Sequence, residues 1–274
     1  MKFEISGEFG YELFAGLPLV NWYKEQGHDV EVISAKGSSL LYPNIKVTEK
    51  YNSRHTFFEL VIDGKSYYRP HNHVAGVFSR PVVGDKLMWE DKWSPPDLKS
   101  HYLERFQIKK DKPFLVVSNK IQNEWGRGPV NYLSVDVLRQ IFELCKDKFN
   151  IVYNRPSVDD IVNDDTLQES FGDRKLVREM NIPTMQNYAE EYDLDYNTTQ
   201  MAVMSNCNHF ISTQGGNSAL SAYFGGRGII YGVEGYEVKH YAYKTFFPKL
   251  SGQAIHHAQT YDDLISKVKS FILC

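Results

Sequence analysis

Residues 209–226 read HFISTQGGNSALSAYFGG, and they constrain the fold more than any other stretch of the chain. Phe210 and Ile211 open a short apolar strand, and Ser212, Thr213, Gln214, Gly215 and Gly216 form a polar turn after it. A helix follows, packed through Ala219, Leu220, Ala222 and Tyr223, with Asn217 or Ser218 placed to cap it. Gly225 and Gly226 stop that helix, and Ile229, Ile230 and Tyr231 begin the next strand. Strand, glycine turn and helix in succession form an α/β unit that aims backbone N–H groups and a positive dipole end at an anion. Two adjacent glycines let the backbone approach a ligand closely, because no Cβ stands in the way. Taken by itself, the turn also fits an ordinary strand-to-helix connection.

The rest of the second half supplies the partners such a site needs. Phe114–Val117 has the unbroken apolar character of a strand buried on both faces. It delivers Asn119 and Lys120, then a loop with Glu124, Trp125 and Gly126. Ser134 caps a helix with Leu138, Ile141, Phe142 and Cys145 on its inner face. Ile151–Tyr153 is the next strand, and it delivers Asn154 and Arg155. Two successive strands therefore end in an amide followed by a cation. Ligands of open α/β sheets bind outside the carboxyl ends of strands, so Lys120 and Arg155 converge with the glycine turn on an anion. Val177–Met180 reads as a further strand, and Asn197 or Thr198 begins a helix feeding the central motif. Thr260 caps a final amphipathic helix through Leu264, Ile265, Val268 and Phe271.

The first half opens with a strand at Phe3 and Ile5, a turn at Gly7–Gly10, and a helix ending at Gly27. Pro18 marks either a kink or the first turn of that helix. Val30–Ile33 completes a βαβ unit, which implies a parallel sheet. Glycines 7, 10 and 16 do not fit G-x-G-x-x-G, and no ribose-binding acid follows the second strand, so this is a poor dinucleotide site. Glu8 and Glu12 lie where the first strand delivers its loop, the place for a general base or an acceptor contact; two solvated acids near a helix N-terminus are the alternative. Phe57–Tyr68 reads as a hairpin turning at Asp63–Gly64. His71 and His73 share a strand face but lack a third ligand, and 159–165 reads as a solvated acidic loop, so no metal site is expected. Trp93, in the loop MWEDKWSPP, either stacks a sugar or pins a connection to the core.

At 274 residues the chain is long for one domain and comfortable for two, and the polar, proline-terminated KKDKP at 109–113 is the expected link. The expected domains are 1–108 and 109–274. A net charge of −3 gives no basic footprint for nucleic acid. No apolar run reaches the eighteen or so residues of a membrane span, and the N-terminus reads as a strand, not a signal peptide. Three widely spaced cysteines imply a reducing compartment, so the expected location is cytoplasmic. The sequon at Asn197 is then fortuitous.

Four segments carry a family resemblance: GEFGYELFAGLPLVNWYKEQGHDV, SNKIQNEWGRGPVNYLS, IVYNRP and CNHFISTQGGNSALSAYFGG. With them the chain resembles small glycosyltransferases of the GT-B fold, particularly the soluble ones encoded by large DNA viruses of algae. They cover the first thirty-odd residues and most of the second half, and leave about 45–105 unsupported. The resemblance implies two Rossmann-like domains facing across a cleft, the C-terminal one holding a nucleotide diphosphate and the N-terminal one the acceptor. It places Gln214, Gly215, Gly216, Asn217 and Ser218 around the diphosphate, with Asn119, Lys120, Asn154 and Arg155 beside them. Met180 would touch the nucleobase, and Gly7, Gly10, Glu12 and Trp93 would line the acceptor side.

The implied reaction is inverting and metal-independent, with Glu8 as base, and needs no cofactor beyond the nucleotide sugar as co-substrate. A UDP-linked pentose or deoxyhexose is the implied donor and an oligosaccharide the acceptor. A sugar-nucleotide epimerase and a non-catalytic glycan-binding protein are the competing expectations. Dehydrogenases and methyltransferases are disfavoured by the missing glycine signatures. Oligomeric state is not legible.

Overall fold

The computed structural model describes residues 1–54, 59–68, 82–83, 86–87, 92–121, 128–155, 161 and 171–274. Strand β1 (Lys2–Ser6) leads into a short helix α1 (Phe9–Tyr11), a π-helical turn at Glu12–Gly16, and α2 (Leu17–Glu25). Pro18 stands in the first turn of α2, directly after the π-helical turn, within a helical run continuous from Phe9. Strands β2 (Glu31–Ala35) and β3 (Lys46–Tyr51) pair in parallel on one side of β1. A hairpin, β4 (Glu59–Ile62) and β5 (Lys65–Tyr68), is added on the other side, β4 running antiparallel to β1. Its two turn residues, Asp63 at φ 48° and Gly64 at φ 82°, have the left-handed backbone that tight hairpins require. The first sheet is therefore mixed, in the order β3-β2-β1-β4-β5, and not purely parallel as the opening βαβ unit implies. A separate two-stranded ribbon, β6 (Val82–Val83) and β7 (Lys86–Leu87), precedes helix α3 (Leu98–Arg105).

Strand β8 (Phe114–Ser118) starts the second sheet, and α4 (Val135–Cys145) carries the chain to β9 (Asn150–Asn154). Ser134 caps α4, as its position before the apolar stripe predicts. Three helices, α5 (Asp173–Glu179), α6 (Met185–Tyr192) and α7 (Tyr196–Ser205), then lead to β10 (Cys207–Thr213). The segment expected as a strand at Val177–Met180 is the end of α5. Leu176 and Val177 are buried on one helical face, a short apolar run whose period cannot separate helix from strand. Helix α7 is capped by Asp195, which accepts from Thr198 N at 3.0 Å, so it starts at Tyr196, a residue or two before the expected Asn197 or Thr198.

Helix α8 (Gly216–Ser221) follows the glycine turn, then β11 (Arg227–Tyr231), α9 (Tyr236–Lys239), α10 (Ala242–Thr245), β12 (Ala254–Ala258) and α11 (Tyr261–Lys267). The second sheet is parallel throughout, in the order β12-β11-β10-β8-β9. Its central strands are buried on both faces. Phe114 and Val116 join the core shared with the first sheet, whereas Leu115 and Val117 join the core under α4 and α11. The expected boundary at 108/109 falls between α3 and β8, but α3 itself packs on α7 of the second half. Lys99 on α3 reinforces that seam by donating to Cys207 O at 3.2 Å.

Candidate functional site

The strand order of the second sheet fixes where a ligand would sit. From β8 the chain winds outward to β9, then returns to the other side of β8 to lay down β10, β11 and β12. The winding reverses between β8 and β10, so their carboxyl ends flank an open crevice, the ligand position of doubly wound sheets. The strands end level there, since Ser118 is in register with Ser212 on one side and with Asn154 on the other. Lys120 follows β8 and Gly215 follows β10.

These two residues meet. Gly215 has φ 130° and ψ −165°, a backbone that side chains with a Cβ rarely adopt. A Cβ placed on it would stand 2.9 Å from Lys120 Nζ and 3.0 Å from Lys120 Cε. The lysine side chain lies across the bare backbone of the turn, so its ammonium sits at the crevice. Gly215 also begins α8, without a side-chain cap from Asn217 or Ser218. Ser218 Oγ instead donates to Gly215 O at 2.7 Å. The Asn217 side chain turns inward, where its Oδ1 accepts from Asn154 Nδ2 at 3.3 Å and Gln200 Nε2 at 3.4 Å.

Asn154 is fully buried and is the hub of that network. It donates to Ser118 Oγ at 3.2 Å and accepts from Tyr196 OH at 2.7 Å. Asn119 is likewise buried, and it clamps Leu133 by accepting from its N–H at 2.9 Å and donating to its carbonyl at 3.0 Å. Both amides therefore brace the loops from below and do not reach a ligand. The network holds the start of α8 against the ends of β8 and β9. Gln200 and Tyr196 are further members of the network; in sequence they sit in the polar first half of α7, YNTTQ, where nothing marks them out.

Arg155 differs from Lys120. Its guanidinium is buried against the carboxylate of Asp173 and stacks on Phe171 at 5.0 Å. Asp173 is itself wholly buried and accepts from Tyr153 OH at 2.8 Å. Burial, with the Asp173 charge beside it, pushes the Tyr153 phenol well up. Arg155 thus belongs to a structural ion pair and is not an open grip for phosphate. Gln214 departs from expectation too. It is buried beneath the loop after β11, close against Gly232 and Gly235, and donates to Glu237 Oε2 at 2.8 Å. Its side chain fastens that loop and does not surround an anion. Met180 closes α5 and packs partly buried against the second core.

The first domain brings its own loop to the same place. Gly7, at φ 133°, ends β1, and Glu8 is exposed immediately before α1. Helix α1 packs against α8, which sets the Glu8 loop beside the glycine turn of the other domain. The Tyr223 hydroxyl, donating to Leu13 O, ties the same two regions together. Gly10 lies within α1, where a Cβ would meet only the Phe14 ring at 3.9 Å, so close approach does not require a glycine there.

Glu12 is fully buried and is no acceptor contact. Its carboxylate accepts from Ser34 Oγ at 2.7 Å, Tyr42 OH at 2.8 Å and Ser38 Oγ at 3.2 Å, and pairs with Arg54. Arg54 in turn donates to Ile161 O at 3.2 Å, so this buried pair also touches the second half. Trp93 donates its indole N–H to Phe14 O at 2.9 Å and tilts against Phe246, pinning its loop to the core. His71, His73, Glu124, Trp125, Gly126 and residues 159–160 and 162–165 of the acidic loop lie outside the described residues. Among the described residues no three His, Cys, Asp or Glu side chains gather as a metal site, and no helix is long and apolar enough to cross a membrane.

No protein-family model matches the chain, and no curated protein matches its sequence. Solved structures do match it, over nearly its whole length. The E. coli heptosyltransferase WaaC with ADP aligns at a TM-score of 0.54 and 11% identity, covering 98% of this chain and 98% of that one. The fold is of GT-B type. A family 9 glycosyl transferase from Veillonella parvula aligns at 0.53 and 11% identity, covering 98% of this chain and 88% of its own. The E. coli ADP-heptose lipopolysaccharide heptosyltransferase II aligns at 0.51 and 9% identity, with 98% and 97% covered. Identities this low establish the two-domain α/β architecture; the chemistry must be argued from the site.

Proposed function

We propose that this chain is a glycosyltransferase that moves a sugar from a nucleoside-diphosphate donor to a glycan hydroxyl, with inversion and without a metal ion. One observation carries the reading: the Lys120 ammonium lies across Gly215 at the switch point of a parallel sheet, and α8, which starts at that turn, packs on the helix α1 that Glu8 precedes. The donor diphosphate fits against the bare backbone at Gly215 and Gly216, where Lys120 supplies the counter-charge. Glu8 takes the proton of the acceptor hydroxyl as its oxygen bonds to the anomeric carbon. The bond from that carbon to the diphosphate breaks, and Lys120 stabilises the charge gathering on the departing nucleoside diphosphate. A base from one domain and a leaving group held by the other put attack and departure on opposite faces of the sugar, hence inversion.

The sequence resemblance favours a uridine donor, and two structural neighbours carry ADP or ADP-heptose in their names. UDP- and ADP-sugars, UDP-xylose first, are therefore the donors to try. The reading is tested by thermal stabilisation with UDP, ADP, GDP and dTDP at matched concentrations. A nucleotide at a hundred times its dissociation constant adds about 2.7 kcal/mol of stability. Selective stabilisation by one of the four supports the reading and names the donor base; stabilisation by none contradicts it.

A further inference from the structure

Among the described residues, four large apolar side chains are strongly exposed, and three of them fall within residues 233–241: Val233 at 39%, Tyr236 at 47% and Tyr241 at 68%. The segment leaves the carboxyl end of β11, the strand beside β10. It is firmly held. Asn131 accepts from Val233 N at 2.8 Å and donates to Glu234 O at 3.0 Å, and Glu237 is bonded to Gln214 of the glycine turn. Downstream, Phe246 and Phe247 pack on Phe14 of the first domain at 5.2 and 5.0 Å. One end of the segment is thus anchored at the turn, and its continuation rests on the facing domain, so it borders the cleft.

Its aromatic rings are set by backbone and packing. Tyr236 and His240 stack nearly parallel, at 6.2 Å and 8°. Tyr241 is held at φ 54° and ψ 31°, a region a bulky side chain seldom occupies. Its carbonyl accepts from Lys244 N at 3.0 Å, Thr245 N at 3.1 Å and Thr245 Oγ1 at 3.0 Å, so the start of α10 fixes that backbone with the ring in solvent.

We propose that Tyr236 and Tyr241 form the platform on which a sugar ring of the acceptor glycan stacks, an inference that rests on the transferase reading for the term acceptor. A pyranose face presents polarised C–H bonds to the negative face of an aromatic ring, and the charged side chains of Glu234, Lys239 and Lys244 along the same segment suit its hydroxyls. A stable protein partner would cover about 800 Å² with 20–30 residues a side, far more than the three exposed apolar side chains of this segment, which suit a small ligand such as a sugar. Trp93, the sequence's candidate for stacking, is committed to Phe14 O and Phe246 and does not take that role.

The test uses the full chain on a printed array of neutral oligosaccharides with pentose, hexose and deoxyhexose termini, together with Tyr236→Ala, Tyr241→Asn and Tyr241→Phe. Asparagine tolerates the left-handed backbone, so Tyr241→Asn removes the ring without added strain. The wild type is expected to bind at least one terminus. Tyr236→Ala and Tyr241→Asn should each weaken that binding by roughly tenfold or more, about 1.4 kcal/mol. Tyr241→Phe should retain it, and the melting temperature and any nucleotide-induced shift should be unchanged in all three. No glycan binding by the wild type, or equal binding by the ring-deleting variants, overturns the platform. Glycan binding lost in those variants, with no nucleotide stabilising the wild type, upholds the platform and removes the transferase reading instead.

Discussion

Each sheet sends a pair of charged residues beyond its strand ends, and in each pair the two members have opposite fates. In the first domain Glu12 is fully buried on Arg54, while Glu8 is exposed four residues earlier. In the second, Arg155 is buried on Asp173, while Lys120 remains half-buried across the glycine turn. A charge taken out of water must be paired, and its partner then fixes it as structure. The other member of each pair stays in contact with water, Glu8 exposed and Lys120 half-buried, where a ligand can reach it. The locked pairs also differ from each other. Glu12 has three hydroxyl donors besides Arg54, whereas Asp173 keeps one buried oxygen, Oδ1, without a hydrogen-bond partner.

The sharpest way to break this division is to remove a locked charge. Glu12→Ala strands Arg54 in the core and should cost about 3–5 kcal/mol in urea unfolding. Asp173→Ala should cost less than Glu12→Ala, because the carboxylate it removes is less completely bonded; the reverse order would undo the contrast between the two pairs. Glu8→Gln should leave urea unfolding within about 0.5 kcal/mol of wild type, yet lower sugar transfer by roughly 10²–10⁴-fold. Surviving transfer would show that Glu8 is not the base.

Gly215→Ala should destabilise by about 1–3 kcal/mol, from the backbone it must adopt and the collision with Lys120. It should weaken nucleotide binding as well, and a change confined to stability would separate the turn from the ligand.

The smallest effect is one of pH. Burial, with the Lys267 and Lys244 charges nearby, lowers the His257 pKa below its usual 6.5, while Nε2 lies 2.8 Å from Gly232 O. The unfolded chain then binds a proton that the folded one refuses, so this contribution is present above pH 6.5 and is lost as pH falls through the folded value. His257→Gln should flatten the fall in melting temperature between pH 7.5 and 5.5, roughly one unit either side of that value.

Much of the second sheet was legible because parallel strands buried on both faces are contiguous apolar runs, such as Phe114–Val117, and because Gly215 marks a turn whose backbone suits glycine. The Asp63–Gly64 hairpin was readable for the same local reason. The fates of the charges were not. Glu12 finds Ser34, Tyr42 and Arg54 at separations of 22, 30 and 42 residues, and Arg155 finds Asp173 at 18. An acid or base just past a strand reads identically in sequence whether its side chain turns inward to such a partner or outward to the cleft. The same ambiguity holds for amides past a strand, and it misplaced Asn119, Asn154 and Gln214. Val177–Met180 failed differently, through a run too short to show its period.

The measurement that most directly tests the account is calorimetric titration of UDP and ADP into the wild type and Lys120→Ala, with unfolding followed alongside. The account predicts that one nucleotide binds the wild type, that Lys120→Ala weakens it by about 10–100-fold, as loss of a charged hydrogen bond does, and that the variant melts like the wild type. Equal affinity of the two proteins for that nucleotide would contradict it.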